Sequence, residues 1–329
     1  MSASRRSARP GRSGRPGDAA WEQVLSGPGR AGPEPWAWFA FLIAAATAVL
    51  FLYLGLRPGG TGPIDAYTVG RLVLFLLGAV TLLVGIGWSL FRRPVLQRAR
   101  LGAFLSLGAS VWFCAYPLAY PSSFEGHPSA VAFRLPFEGE WTVRWGGKKG
   151  PQNALVLYPD RRFGYDFVRC DDEGASGGAG GSLCLGEAVL APAAGEVVAV
   201  HDGEPDRAAG AAAATGEPYG NHVVLRVADG EYLFLIGLQQ NSLAVAVGDL
   251  VEPGQVLARV GFSARSPLTP EPHLGLHLQA TPDLRRGEGI PLEFRGYASG
   301  GRTVARGVPR GGLAGGRHTG ERVRIEKPR

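Results

Sequence analysis

The sequence predicts an all-β domain with antiparallel sheets of the barrel-sandwich type, preceded by three transmembrane helices. Two observations indicate this class. Three long apolar runs without a charged residue lie within the first 120 residues, and each is long enough to span a membrane. From about residue 128 to 296 the pattern changes to short β-type runs broken by Gly, Pro and Asp, without a useful length of helical periodicity.

The three apolar runs cover residues 36–56, 72–91 and 101–120. Each has about 20 residues, and at a helical rise of about 1.5 Å per residue such a run matches the thickness of a bilayer core. Trp and Tyr residues lie near the run ends, where interfacial aromatic residues are common. We therefore predict a three-helix transmembrane anchor over residues 36–120 that contacts membrane lipid.

The distribution of arginine predicts the orientation of this anchor. The N-terminal tail and the loop between the second and third runs are rich in Arg, whereas the loop between the first and second runs has Arg only at its edges. Under the positive-inside rule, residues 1–35 form a basic, disordered cytoplasmic tail, and three crossings place residues 121–296 outside. The predicted location is a cell membrane, with several passes and the C-terminal domain outside.

The net charge of the chain does not predict a nucleic-acid partner. The formal charge of +6 lies largely in the two tails, and no basic stripe is interleaved with aromatic residues. The tail over residues 297–329 is rich in Gly and Arg, and we expect it to be disordered because it offers little apolar surface to bury.

Two cysteines flank a glycine-rich segment in the predicted outside domain. Cys170 and Cys184 could form a disulfide in an oxidising exterior. Their spacing is equally compatible with two free thiols, so both states remain open.

The β domain contains a hairpin signal and an internal repeat. "ADGEY" between two apolar runs predicts a tight hairpin. The segments 186–200, "GEAVLAPAAGEVVAV", and 245–261, "VAVGDLVEPGQVLARVG", resemble each other. Such a pairing occurs in biotinyl and lipoyl carrier modules, but those modules need a lysine between their halves. Residues 150–326 contain no lysine, which excludes the carrier interpretation.

Several segments together resemble another family with this layout. They include "RRFGYDFV", "APAAGEVVAVHDG", "YGNHVVLRVADGEYLFLIGL" and "EPHLGLHLQ". Their order and spacing resemble the lysostaphin/LytM-type peptidoglycan zinc metalloendopeptidases over residues 135–295, about half of the chain. The resemblance implies the duplicated hybrid β motif of that family, a zinc site and a role at the cell wall, and with it a bacterial cell membrane as the location of the anchor.

The family holds its zinc with an H-x-x-x-D motif and an H-x-H motif, and it uses a further His in an apolar strand. By the resemblance, Asp166 corresponds to the ligand Asp. Arg162 stands where the first His is expected, and a guanidinium has no lone pair to offer a cation. Gly237 stands where the family has the further His. We expect Arg162 to form a salt bridge with Asp166 in place of the metal.

The stretch "EPHLGLHLQ" fits the H-x-H motif in two registers. In one, His273 is the catalytic first His and Gly275 replaces the zinc ligand. In the other, His277 is the zinc ligand and Gly275 replaces the first His. His273 and His277 cannot share one ion on a regular strand, because four residues span roughly 13 Å, whereas two ligands of one zinc lie about 3–4 Å apart.

At best Asp166 and one histidine remain as zinc ligands, and His222 or His201 are possible substitutes outside the family positions. We therefore predict a catalytically inactive, membrane-anchored member of this family, with no cofactor, that binds peptidoglycan or regulates a cell-wall hydrolase. One alternative is an active zinc metalloendopeptidase that cleaves peptidoglycan cross-links. A second is a structural scaffold of an envelope complex.

Overall fold

The computed structural model describes residues 34–56, 59–92, 98–169, 183–207, 217–266 and 268–326. The chain divides into two compact units. Of the described residues, those within 34–52 and 68–116 form the first unit, and those within 53–67 and 117–326 form the second.

The apolar N-terminal part is helical. Its elements are α1 (Pro35–Leu56), α2 (Thr61–Asp65), a π-helical segment (Ala66–Gly70), α3 (Arg71–Phe91) and α4 (Arg98–Ala115). Among the described residues, two helical stretches are long and apolar enough to cross a membrane, Pro35–Leu56 and Thr61–Phe91.

The third predicted span is not among these candidate spans, so two of the three predicted spans are supported. Helix α4 begins at Arg98 and ends at Ala115, so the last residues of the predicted run, 116–120, are not helical. Instead, the helix takes in Arg98 and Arg100 at its start. The apolar run in the sequence and the helix in the structure are therefore offset.

Polar contacts join the ends of the helices of the first unit. The guanidinium of Arg100 contacts the carboxylate of Glu34 in a buried pair, with Nε 3.0 Å from Oε2. Arg71 donates to the carbonyls of Cys114, at 3.0 Å, and of Tyr116. The start of α1 thus lies beside the start of α4, while the start of α3 lies beside the end of α4. Helices α1 and α4 consequently run in the same direction, and α3 runs against them.

The second unit is built from antiparallel strands, which confirms the predicted all-β domain. The described strands are β1 (Glu140–Trp145), β2 (Tyr165–Val168), β3 (Ala188–Leu190), β4 (Gly195–His201), β5 (Asn221–Ala228), β6 (Glu231–Leu238), β7 (Leu250–Val251), β8 (Val256–Arg259), β9 (Leu274–Gln279), β10 (Gly289–Ile290), β11 (Phe294–Ser299), β12 (Arg302–Gly307), β13 (Leu313–Ala314), β14 (Arg317–His318) and β15 (Arg322–Ile325).

One large sheet dominates this unit. Its strand order is β12-β11-β15-β1-β2-β9-β6-β5-β4-β7, with β10 paired to β9. The core beneath it contains large side chains that are fully buried, among them Trp141, Phe167, Leu225, Leu235 and Phe294. The central strands β2, β9, β6 and β5 hold the residues singled out from the sequence.

The predicted hairpin and the internal repeat both have structural counterparts. Strands β5 and β6 pair along their length and are joined by Asp229 and Gly230, with Gly230 at φ 67°, as a tight turn requires. In the repeat, β3 pairs with β8 and β4 pairs with β7. Each half of the repeat therefore completes its sheet with a strand from the other half.

The prediction of a disordered tail is wrong for residues 297–326. Strands β11 to β15 extend the large sheet, and β15 lies between β11 and β1. Although the segment is rich in Arg and Gly, Tyr297 and Val323 alternate with polar neighbours and are buried in the core. Two well-placed apolar side chains and the backbone ladder of β1 order a segment whose composition alone suggests disorder.

Candidate functional site

Four of the predicted site residues, Asp166, Gly275, His222 and His201, lie in a row that crosses five strands of the large sheet. Asp166 on β2 is the register partner of Gly275 on β9, which is the partner of Ile236 on β6. Ile236 is opposite His222 on β5, and His222 is opposite His201 on β4. Directly opposite residues project from the same face of a sheet. The row therefore forms one continuous surface, with Asp166 at one end and the two histidines at the other.

Asp166 and His273 lie close together in the structure. Asp166 is buried, and its Oδ2 accepts a hydrogen bond of 2.5 Å from the hydroxyl of Thr269. The same oxygen lies 3.9 Å from Nε2 of His273. The Nδ1 of His273 is 2.7 Å from the carbonyl of Glu271, which can only accept, so Nδ1 carries the hydrogen. In the neutral ring, Nε2 therefore presents its lone pair towards Asp166.

Gly275 occupies the position at which a side chain would face Asp166. A Cβ built on Gly275 would lie 3.5 Å from Oδ1 of Asp166. It would also overlap Cγ1 and Cδ1 of Ile236, so Ile236 fills the space that a side chain at 275 needs. This arrangement fits the register in which His273 is the first His of the motif and Gly275 replaces the zinc ligand.

His277 does not join Asp166. Its ring stacks on Phe234, with centroids 4.7 Å apart and an interplanar angle of 12°, and it meets Tyr219 edge to face. Burial, together with the nearby charge of Arg161, lowers the pKa of His277 well below its ordinary value. The structure thus gives His277 an apolar packing role and does not support Asp166 and His277 as a ligand pair.

The predicted salt bridge between Arg162 and Asp166 is wrong. The Arg162 guanidinium instead donates to Glu125, with Nη2 2.8 Å from Oε2. The chain turns just before β2, where the amide of Gly164 donates to the carbonyl of Arg161. This turn separates Arg162 from the strand that positions Asp166, so a spacing of four residues does not bring the two side chains together.

Gly237 is held in a conformation that disfavours any side chain. Its φ is 78°, in the left-handed region that favours glycine. A Cβ at this position would lie 3.0 Å from the carbonyl oxygen of His273. The backbone at 237 is thus shaped for glycine, and a histidine here would meet both strain and a close contact.

His222 and His201 are too distant to complete a site with Asp166. Adjacent strands are about 4.8 Å apart, so three strand steps put the His222 backbone roughly 14 Å from that of Asp166, and His201 lies one step further. The two rings instead stack on each other, with centroids 5.4 Å apart. Burial lowers the pKa of His222, and the nearby His201 lowers it further.

The thiol of Cys184 is buried and donates to the carbonyl of Pro272, with Sγ 3.2 Å from the oxygen. Cys170 lies outside the described residues. The predicted disulfide between them therefore stays a prediction.

The residues at the family position do not fit a catalytic zinc ion. Such a site needs three protein ligands and an open fourth position. Of the three family ligand positions, Asp166 alone keeps a ligand, because Arg162 and Gly275 stand at the other two. Ile236 also fills the space that a side chain at 275 needs. Within the described ranges, no group of three or more His, Cys, Asp and Glu side chains is placed to hold a metal ion.

Sequence reasoning missed the residues that hold the loop beside Asp166. Leu268 accepts hydrogen bonds through its carbonyl from Arg144 and Trp145 of β1. His318 of β14 approaches the carboxylate of Glu271, with Nε2 3.1 Å from Oε1. These contacts join segments far apart in the chain, and no local motif signals them.

One family of known proteins matches part of the chain. Residues 178–285 match the model of Peptidase family M23. The match confirms the family predicted from the sequence, and the chain contains an M23 peptidase-family domain. The matched segment includes Gly237 and Gly275 and begins after Asp166. No curated protein matches the chain significantly.

Solved structures to which the chain is similar include peptidases. A zinc-containing peptidase from Vibrio cholerae is 18% identical, with a TM-score of 0.31, 48% of this chain covered and 39% of that chain covered. The catalytic domain of the prophage-encoded M23 protein EnpA from Enterococcus faecalis is 20% identical, with a TM-score of 0.31 and coverages of 48% and 94%. The catalytic domain of lysostaphin from Staphylococcus simulans is 18% identical, with a TM-score of 0.28 and coverages of 45% and 86%.

Proposed function

We propose that this protein is a membrane-anchored M23-type domain that does not hydrolyse peptide bonds and acts at the cell envelope by binding. The observation that supports the proposal is the filled ligand position beside Asp166. Ile236 occupies the space at Gly275, and without a third ligand zinc has no site at which to lower the pKa of a bound water. Asp166 is instead tied to Thr269 as a structural hydrogen-bond acceptor.

The burial of this site favours a protein partner over a wall peptide bound in the substrate groove that the family resemblance implies beside Asp166 (the old groove). Asp166, Ile236, His273 and His277 are each at most 3% exposed. A peptide strand could reach them only if the covering residues moved. We therefore infer that the domain binds through another surface, and that its partner is a cell-wall hydrolase or another envelope protein.

We also propose that α4 crosses the membrane together with α1 and α3. It has 18 residues, about 27 Å at the helical rise, and it runs along α3 from end to end. Large apolar side chains on its surface are exposed, including Leu101, Leu105, Trp112 and Phe113. Such a surface needs lipid, and Arg100 at its start is neutralised by Glu34. Three crossings then place the β domain outside, as the positive-inside rule predicts.

Cosedimentation tests the binding mode. The full chain in detergent is incubated with insoluble peptidoglycan, and protein in the pellet is measured together with soluble fragments. The proposal expects neither retention through the old groove nor soluble fragments. Retention that is lost in Ile236→Ala or His273→Gln would show that wall peptides use the old groove. Soluble fragments that increase with time would overturn the non-hydrolytic function.

A further inference from the structure

Strand β12 forms a free edge of the large sheet. Among the described residues, β12 pairs with β11 on one side and with no strand on the other. The opposite edge of the sheet is formed by β7, which has two residues, whereas β12 has six. A free edge of this length offers unpaired backbone groups to which another chain can add a strand.

The backbone of Thr303 faces the free side of β12. Strands β11 and β12 are joined by Gly300 and Gly301, with φ of 56° and 74°, as in a two-residue hairpin turn. The pair that flanks such a turn, Ser299 and Arg302, exchanges hydrogen bonds, and the next pair does not, because the two kinds of pair alternate. The N–H and C=O of Thr303 therefore point away from β11. Within the part of the chain that the structure describes, neither group takes part in another hydrogen bond.

The strands at this edge are basic. β11, β12 and β15 are neighbours in the sheet and contain no Asp or Glu. They carry five arginines, which are Arg295, Arg302, Arg306, Arg322 and Arg324. Arg306 contacts Glu293, and Nη1 of Arg322 lies 3.8 Å from a carboxylate oxygen of Glu140. The other three arginines have no carboxylate partner within the described ranges.

Two of these three arginines lie on the face of the edge that is turned away from the core. Arg295 follows the buried Phe294, and successive side chains of a strand point to opposite faces. Arg324 follows the buried Val323 in the same way. Arg295 is directly opposite Arg306 on β12, and like charges in this position repel each other. An acidic segment beside β12 would relieve this repulsion, whereas a second copy of the same basic edge would add to it.

We propose that β12 is the edge at which a partner protein docks, by adding an extended acidic segment to the large sheet as a further strand. This names the surface through which the domain binds, and it rests on the proposed binding function. Backbone hydrogen bonds to β12 supply the affinity, and the arginines without a carboxylate partner supply the preference for acidic side chains. The edge lies outside residues 178–285, which match the family model.

Binding of a designed peptide to the full chain in detergent tests this edge. The probe is a fluorescently labelled peptide of alternating Glu and Thr, and its binding is followed by fluorescence anisotropy. We expect saturable binding of this peptide and no binding of the same peptide with Lys in place of Glu. Arg295→Glu and Arg324→Glu together should weaken the affinity by roughly tenfold or more. Arg286→Glu, at an exposed arginine between β9 and β10, should leave the affinity unchanged.

Two further changes separate strand addition from charge attraction alone. Thr303→Pro removes the N–H on the free side of β12 and leaves the pairing with β11 intact. N-methylation of every backbone amide of the acidic peptide blocks its pairing without changing its charge. Each change should abolish binding, and the methylated peptide remains informative should Thr303→Pro impair folding.

Three results would each overturn docking at β12. They are binding that survives both of these changes, equal binding of the acidic and basic peptides, and no binding of the acidic peptide. None of them bears on the absence of hydrolysis, because that is measured separately by the release of soluble fragments from peptidoglycan. Failure of the docking edge and failure of the non-hydrolytic function are therefore distinguishable.

Discussion

At the scale of single residues, Ile236 decides whether a ligand can stand beside Asp166. Gly275→His should destabilise the β domain by about 1–3 kcal/mol, because the new side chain overpacks against Ile236. Ile236→Ala opens that space, so the double variant should lose at least about 0.5 kcal/mol less than the sum of the single changes. Urea unfolding of the full chain in detergent measures this coupling. Additive losses would show that Ile236 does not occupy the ligand space.

Asp166 should act as a structural acceptor for Thr269. Asp166→Ala leaves the buried Thr269 hydroxyl without its acceptor, and the expected cost is about 1–3 kcal/mol. Thr269→Val should add little to the Asp166→Ala variant, because both remove the same hydrogen bond. In the Asp166→Ala background, Arg162→Ala should lower the free energy of unfolding by as much as it does alone, because Arg162 contacts Glu125. Chelation by EDTA should not reproduce the loss. If instead the effects of Arg162→Ala and Asp166→Ala on the free energy of unfolding are not additive, the result would support the salt bridge that the sequence predicts.

His277 should make the β domain sensitive to acid. Its folded-state pKa lies well below the ordinary value of 6.5, so the unfolded chain takes up the proton more readily. The stabilisation is fully present above pH 6.5 and is lost as the pH falls towards the folded-state pKa, by up to about 1.4 kcal/mol per pH unit. Unfolding measured between pH 7.5 and pH 5 (roughly the range where such a shift acts) should show a weaker pH dependence in His277→Leu. The exposed His127, changed to Gln, is the control, and an equal response in both variants would contradict this role.

At the scale of elements, local signals in the sequence were sufficient for the β5–β6 hairpin. Asp229 and Gly230 supply the turn, and the alternating apolar residues supply the strands. The repeat also predicted two equivalent halves, although not the exchange of strands between them. By contrast, the partner of Arg162 and the anchoring of the loop at Leu268 depend on residues distant in the chain. Spacing within a motif holds no information about such contacts.

The C-terminal strands are a second example of non-local order. Composition suggested disorder because arginine and glycine dominate, yet β15 pairs with both β1 and β11. The ladder that orders this segment belongs to strands more than 20 residues away. Composition gives no information about the strands with which a segment will pair, because the free edges of β1 and β11 exist only once the rest of the sheet has formed.

Because residues 297–326 are ordered, we predict that substitutions at two adjacent residues of β15 affect the free energy of unfolding very differently. Val323 is fully buried, and Arg324 is exposed. Val323→Ala should lower the free energy of unfolding by roughly 2 kcal/mol, because it removes buried apolar surface and leaves a cavity. Arg324→Ala should change it by no more than about 0.5 kcal/mol. Equal, negligible effects in the two variants would indicate that β15 does not pack on the core.

At the scale of the whole molecule, the number of membrane crossings fixes the side on which the β domain acts. Three crossings separate the N-terminus from the C-terminus, whereas two crossings leave both on the same side. Reporter fusions at the C-terminus, one active only outside and one fluorescent only inside the cell, distinguish these topologies. We expect activity from the outside reporter alone. Fluorescence from the inside reporter would show that α4 does not cross.

The central claim is that the M23-type domain has no hydrolytic zinc centre, and a cleavage assay tests it most directly. The full chain in detergent is supplied with zinc and with cross-linked wall peptides, and released amines are counted for the wild type and for Asp166→Asn. The structure predicts no release above the buffer rate and no difference between the two proteins, because Ile236 fills the ligand position beside Asp166. Zinc-dependent release by the wild type that disappears in Asp166→Asn would contradict it.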